Sequence, residues 1–198
     1  GVRASVLARD DGSSDATPQI LDRWQTEAAL SWSAGDNLGP AAGFMRLVSA
    51  APEASYYAFA DQDDRWDADK LQTAVDRLAA SSAETPALYL SAKRVVDENL
   101  RPTGATETPL PRVSFGSSLF YSGGSGCTMV FNRALLSVLK RDPHPNPGMH
   151  DHWVYKVCLA VGGTVVYDPV PHIDYRQHGA NVISADESVA KRLTSWWH

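Results

Sequence analysis

Three features of the 198-residue chain predict an α/β domain with a mostly parallel central sheet flanked by helices. Short apolar runs alternate with segments of helical period. Two of those runs end in acidic loops, Asp10-Asp11 and Asp61-Gln62-Asp63-Asp64. The hydrophobic fraction of 43% is enough to bury one sizeable core, so residues 1–198 read as a single domain.

Each element has a local cause. Val2 to Ala8 reads as a strand that stops at Asp10-Asp11-Gly12-Ser13. Thr17 is the predicted N-cap of the next helix, with Pro18 at its first position and Ile20, Leu21 and Trp24 on one face. Leu30 to Ser33 is a short strand, the loop Gly35 to Pro40 follows, and a helix runs from about Ala41 to Ala50. Tyr56 to Ala60 is a strand leading straight into Asp61. The clearest helix is Asp67 to Ala80, where Leu71, Ala74, Val75, Leu78 and Ala79 make the i, i+3, i+4, i+7, i+8 stripe. Ala87 to Ala92 is a strand. Residues 101–126, rich in Pro, Thr, Ser and Gly, read as a long loop, and loops of that length inside a domain are commonly functional. Cys127 to Phe131 is a strand, and Asn132 caps a helix carrying Leu135, Leu136 and Leu139. His150 or Asp151 opens a further helix with Trp153, Val154, Val157, Cys158 and Val161 inward, ended by Gly162-Gly163 before a last strand, Thr164 to Tyr167.

Composition excludes some functions. The net charge is −5, the pI about 5.6, and no long Lys/Arg run occurs, so the electrostatic footprint of a nucleic-acid binder is absent. An acidic protein can still bind an anionic nucleotide when a metal ion supplies the positive charge. No apolar run approaches the length of a membrane helix, and no signal peptide is visible. The two cysteines, Cys127 and Cys158, sit in apolar runs and read as buried thiols, which fits a reducing compartment. Trp196-Trp197 with Lys191-Arg192 is a candidate contact with a membrane interface.

The acidic loops carry the functional signal. In open α/β sheets, ligands bind in the crevice at the carboxyl ends of strands. Carboxylates crowded there repel one another, and a divalent cation relieves the repulsion. All-oxygen ligands suit Mg²⁺ or Mn²⁺. The alternative is that these residues are ordinary turn and cap formers. Two acidic loops at matching strand ends weigh against it.

At this point a resemblance becomes specific. Asp10-Asp11-Gly12-Ser13-Ser14-Asp15 resembles the D-D-G-S-x-D element of family 2 glycosyltransferases, which have the GT-A fold with a Rossmann-like sheet. Asp61-Gln62-Asp63-Asp64-Arg65-Trp66 resembles their D-x-D element in the D-Q-D-D-x-W form of bacterial rhamnosyltransferase-like members. Asn37-Leu38-Gly39 resembles the N-x-G loop between them. His150-Asp151-His152-Trp153 resembles the E-D or H-D motif, and Tyr175-Arg176-Gln177-His178-Gly179-Ala180-Asn181 the Y-R-Q-H-x-x-N segment. The elements stand in the family's order from Asp10 to Asn181. The family's opening strand, with its P-x-Y-N turn, has no counterpart at Gly1, so the first strand is expected to be missing.

The resemblance implies roles. Asp10, Asp11, Asn37, Gly39 and Asp61 would bind the nucleotide sugar, a UDP- or dTDP-sugar, within a donor half spanning residues 1–100. Asp63 and His178 would hold Mn²⁺ or Mg²⁺. Asp151 would be the general base in an acceptor half spanning 101–198, where Gly124, Ser125, His150 and Trp153 are candidate contacts to a glycan or lipid-linked acceptor. Rhamnose is the favoured sugar. Work at the inner face of the cell membrane, cytoplasmic or peripheral, is what the family implies. One base without a carboxylate nucleophile means one displacement and inversion at the anomeric carbon. In the first helical turn, Asp151 would be favoured as an anion by the helix dipole, with His150 and His152 adding charge when protonated.

Three rival readings fit the sequence less well. A receiver domain shares the doubly wound pattern but needs a late Lys, usually before Pro, and the chain has no Lys-Pro dipeptide. A sugar-nucleotide nucleotidyltransferase would show a glycine-rich loop after its first strand. A noncatalytic nucleotide-sugar-binding module would not need Asp151.

Overall fold

The computed structural model describes residues 1–104, 113–141 and 147–177. In chain order the elements are β1 (Val6–Asp10), α1 (Thr17–Glu27), β2 (Leu30–Ala34), α2 (Gly39–Ala50), β3 (Tyr56–Ala58), β4 (Arg65–Trp66), α3 (Lys70–Leu78) and β5 (Ala87–Ser91). There follow β6 (Arg94–Val96), α4 (Phe115–Ser118), β7 (Val130–Asn132), α5 (Arg133–Arg141), α6 (His150–Ala160), β8 (Thr164–Asp168) and β9 (Ile173–Arg176).

The centre is a four-stranded sheet ordered β3-β7-β5-β8. β5 pairs parallel with β8, while β7 runs antiparallel to both β3 and β5. Three of the four strands therefore point one way, and only β7 opposes them. All five residues of β5 are buried, as expected for a strand covered on both faces. Their side chains alternate between two cores. Leu88 and Leu90 join Met129 and Phe131 against Met45 and Val48 of α2, Leu135 and Leu139 of α5, and Val154 and Tyr155 of α6. Ala87 and Tyr89 join Val130 against Ala74 and Leu78 of α3.

Asn132 ties these layers together. Its Oδ1 accepts the Leu135 and Ala87 N–H groups, both at 3.0 Å, and its Nδ2 donates to the Thr85 carbonyl at 2.8 Å. The expected cap is thus also a cross-strand brace. At the end of α6, Gly162 adopts φ +73°, and Gly163 N–H returns to the Cys158 carbonyl at 2.8 Å. That is the left-handed stop glycine permits. The helix ends one residue before Val161, which is exposed instead of inward. Both cysteines are free and buried, and burial pushes the Cys158 thiol up to about 12.

Several boundaries differ from the sequence pattern. α1 is capped by Ala16 in place of Thr17, and the Asp15 carboxylate takes the Thr17 N–H at 2.9 Å. No residue of α1 is buried, because it packs on β2 of a sheet only two strands wide. α3 starts at Lys70, three residues later than its stripe implies. The Asp67 carboxylate is held in the preceding turn by the Arg94 guanidinium, at 2.6 and 3.0 Å.

β1 and β2 form their own parallel pair. α2 links that pair to the rest, packing on β1, α5 and α6. A third sheet, β4-β9-β6, has no counterpart in the sequence reading. Its strands are two to four residues long and carry Arg65, Arg94 and Asp174, residues that disguise a strand. Asp174, 4% exposed, accepts from both arginines, with 2.9 Å to Arg65 Nε and 2.5 Å to Arg94 Nε. Burial pushes its carboxyl up, but these hydrogen bonds outweigh it and hold it below the usual carboxylate range.

Candidate active site

The acidic loop after β3 begins at Asp61, two residues beyond buried Phe59, so Asp61 stands just past the end of a core strand. Its carboxyl is pushed up to about 6, first by burial and then by the charges of Asp64, Asp63 and Asp151, with Lys93 opposing. The shift has the signature of carboxylates crowded into one crevice. Asp64 is also raised by burial, against a hydrogen bond from the Arg176 N–H, which reaches its Oδ1 at 3.0 Å. Its carboxylate faces the Cys127 thiol, and among the described residues its buried Oδ2 accepts no hydrogen bond from nitrogen or oxygen.

Carboxylate oxygens of Asp61 and Asp64 lie within 4.8 Å of each other and of Cys127 Sγ. Burial holds the Cys127 thiol well above its ordinary pKa, and a neutral thiol is a poor ligand for a hard cation. The two carboxylates, with an orphaned oxygen and excess negative charge, fit Mg²⁺ or Mn²⁺. Asp63, expected from sequence to be the ligand, neighbours this pair and adds to its negative charge, but lies outside the close group.

Asp151 stands in the first turn of α6. Its Oδ2 accepts the Gly126 N–H at 3.1 Å and its Oδ1 the His152 N–H at 2.6 Å. The loop reaching it is built from glycines for steric reasons. A Cβ on Gly123 would lie 2.3 Å from Cε2 of the Tyr155 ring, and one on Gly126 would lie 2.5 Å from His150 Nε2 and 3.4 Å from Asp151 Cβ. Within that loop, Gly124 packs on Leu90, and the Ser125 hydroxyl accepts from Lys93 Nζ.

His150 is placed differently from its expected role. It is 5% exposed, stacked on Phe44 at 4.1 Å and edge-on to Phe59 at 4.8 Å between ring centroids. Burial lowers its pKa, against the pull of Asp151, so it does not supply a positive charge beside Asp151. Trp153 is half-buried and packs against the main core. Both belong to the i, i+3, i+4, i+7 stripe that α6 turns inward with Val154 and Val157. His152 points the other way, and its Nε2 lies 2.6 Å from the Ser118 carbonyl, fastening α4 to α6.

The first acidic pair serves its own turn. Asp10 accepts the Ser13 N–H at 3.1 Å and its hydroxyl at 2.5 Å. The hydroxyl bond is the main reason its carboxyl lies below the usual range. Asp11 pairs with Arg9 and accepts the Leu38 N–H at 3.2 Å. Asn37 Oδ1 accepts the Gly39 N–H at 3.0 Å, and Gly39 has φ +75°. The Asn37-Leu38-Gly39 loop is therefore locked onto Asp11. Neither Asp10 nor Asp11 is among the charges that raise Asp61. His178 and the Lys191–Trp197 segment lie outside the described residues.

Two site residues escaped sequence reasoning. Lys93, just past β5, stands 4.1 Å over the Tyr175 ring. Lys70, 1% exposed, has its Nζ 3.8 Å over the Trp66 ring, and burial lowers it to about 8. The signal for Lys93 lay in position alone, a cation two residues beyond a fully buried strand.

Comparison with known proteins follows the same outline. The family described as glycosyl transferase family 2 matches residues 3–137, more than half of the chain. A dTDP-rhamnosyl transferase, RfbG of Shigella flexneri, is 27% identical over 208 residues, covering 94% of this chain and 67% of that protein. An uncharacterised protein of Mycobacterium tuberculosis, Rv1520, is 27% identical over 185 residues, covering 89% of this chain and 51% of its own length. The structure of Staphylococcus aureus TarS 1–349 in complex with UDP superimposes with a TM-score of 0.63 at 18% identity, over 87% of this chain and 51% of that one. That likeness shows the fold. The chain spans about half the length of the mycobacterial and staphylococcal relatives.

Proposed function

The chain belongs to glycosyl transferase family 2, and from that premise we propose that it transfers a sugar from a nucleoside-diphosphate donor to a glycan or lipid-linked acceptor with inversion. The observation that carries this reading is geometric: carboxylate oxygens of Asp61 and Asp64 lie within 4.8 Å of each other and of Cys127 Sγ, and the N–H of the adjacent Gly126 is held by Asp151. Residues 1–100 form the donor half and 101–198 the acceptor half. The named activity of RfbG supports a dTDP-sugar donor, rhamnose in the first instance, and the UDP bound to TarS supports a nucleoside diphosphate. No helix among the described residues is long and apolar enough to cross a membrane. A lipid-linked acceptor would be met peripherally, from the cytoplasmic side.

The acceptor hydroxyl attacks the anomeric carbon while the bond from that carbon to the diphosphate oxygen breaks. The bonding pair leaves on the diphosphate, and the hydroxyl proton passes to an Asp151 carboxylate oxygen. Gly126 N–H fixes the carboxylate's orientation through Oδ2. Asp61 and Asp64 would hold Mn²⁺ or Mg²⁺, with Asp63 adding negative charge beside them. Such an ion, when bound, stabilises charge developing on the leaving diphosphate. Asp11, clamped by Arg9 and bonded to Leu38 N–H, would shape the wall for the nucleoside with Asn37 and Gly39.

Replacing the base tests the assignment. Asp151→Asn should cut transfer by about 10²–10⁴-fold while nucleoside-diphosphate binding stays near wild type. Transfer at the wild-type rate would refute the role of Asp151 and favour a noncatalytic binding module.

A further inference from the structure

We propose that His150 is a positioning residue for Asp151, its five-membered ring setting where the Gly126 N–H meets that carboxylate. The assignment rests on the reading of Asp151 as the base, and His150 acts on it through Gly126. Its basis is packing on three sides. The ring is 5% exposed. It stacks on Phe44 of α2 at 4.1 Å and stands edge-on to Phe59, two residues before Asp61, at 4.8 Å. Phe44 and Phe59 meet each other edge-on at 5.2 Å, so the three rings close on one another. The tip of the imidazole abuts the glycine loop, since a Cβ on Gly126 would lie 2.5 Å from Nε2 and 3.3 Å from Cε1. The Gly126 N–H in turn donates to Asp151 Oδ2 at 3.1 Å. His150 and Asp151 are the first two residues of α6. The helix that presents the carboxylate thus also presents the ring that places its hydrogen-bond donor.

Size explains why this ring is an imidazole. Among the described residues, neither Nδ1 nor Nε2 makes a hydrogen bond, and leaving such atoms buried and unpaired costs stability. A phenyl ring would pack on Phe44 and Phe59 equally well without that cost. It is also longer, and its tip would press on a glycine already too close to take a Cβ. Close-packed interiors pass such a displacement on to their neighbours. A shift of about 1 Å at a catalytic group costs about 10²-fold in rate. The shorter ring leaves Gly126 where Asp151 needs it.

The test reads the Gly126 amide directly. Its proton shift and its exchange with solvent are measured by NMR in wild type, His150→Phe and Asp151→Ala, the last giving the value of an unbonded amide. His150→Phe should stay folded and bind dTDP and UDP, with Mn²⁺, within about twofold of wild type by calorimetry. Its Gly126 amide should move most of the way to the Asp151→Ala value and exchange about tenfold faster or more. A second measurement covers the case in which the phenyl variant does not fold. Gly126→Ala should lower the melting temperature of wild type by several degrees and that of His150→Ala by less than half as much, because the clashing ring is gone. An unchanged Gly126 amide in folded His150→Phe would overturn the assignment, as would an equal cost of Gly126→Ala in both backgrounds. Loss of nucleotide binding together with the amide shift would overturn it in favour of a general structural role. A wild type that binds neither nucleotide would refute the nucleotide-sugar reading even with the Gly126 results as expected, and would leave His150 no base to position.

Discussion

Asp61 is stable as an acid and strained as an anion. Its carboxyl, raised to about 6, starts from an ordinary value near 4 in the unfolded chain. Stability contributed by its protonated form is complete below about pH 4 and is lost as pH rises through about 6. At pH 7, with divalent cations removed, Asp61 is therefore a liability of about 2 kcal/mol as an order of magnitude. Asp61→Asn should melt at a higher temperature than wild type at pH 7 in EDTA and show little advantage at pH 4. An equal difference at both pH values would contradict the crowding. Asp61, Asp63, Asp64 and Asp151 were legible because acids directly after an apolar strand, or opening a helix, are visible in one dimension. His150 was misjudged for the opposite reason. Its position beside Asp151 pointed to the acceptor, whereas α6 turns it inward between Phe44 and Phe59.

At the scale of elements, the position of Asp151 depends on the fit between the Gly123–Gly126 loop and α6. In the sequence these glycines belong to a long loop with Gly124 and Ser125 as candidate acceptor contacts. The structure gives them a narrower task, since side chains there would enter Tyr155 and His150. Gly126→Ala should cost about 1–3 kcal/mol of stability, as overpacking usually does. It should also depress transfer more than nucleotide binding, because the Gly126 N–H is what holds Asp151. Thermal unfolding and transfer assays check this, and an unaltered variant would show that the loop yields freely. The long helices and β5 were legible from periodicity. The sheet β4-β9-β6 was not, because it joins segments about a hundred residues apart, as Arg65 and Asp174 show, and hides its strand character behind paired charges. Lys93 meets Tyr175 only because that sheet forms.

For the whole molecule, α2 couples the two halves of the site. It presents Gly43 to Asp11 and, one residue later, Phe44 to His150 beside Asp151, so the proposed nucleoside wall and the neighbour of the proposed base pack against one helix. The architecture was legible as α/β from the alternation of elements, and the crevice from the two acidic loops. What one dimension could not give is the separation of β1 and β2 into their own pair, because strand pairing is a long-range choice that local pattern does not encode. The measurement that reaches the central claim most directly is calorimetric titration of dTDP and UDP, with Mn²⁺ and with EDTA. The account predicts binding that requires the metal, with one base preferred. Equal binding in EDTA would contradict the carboxylate cluster as a metal-bridged diphosphate site, and no binding under either condition would contradict the nucleotide-sugar site itself.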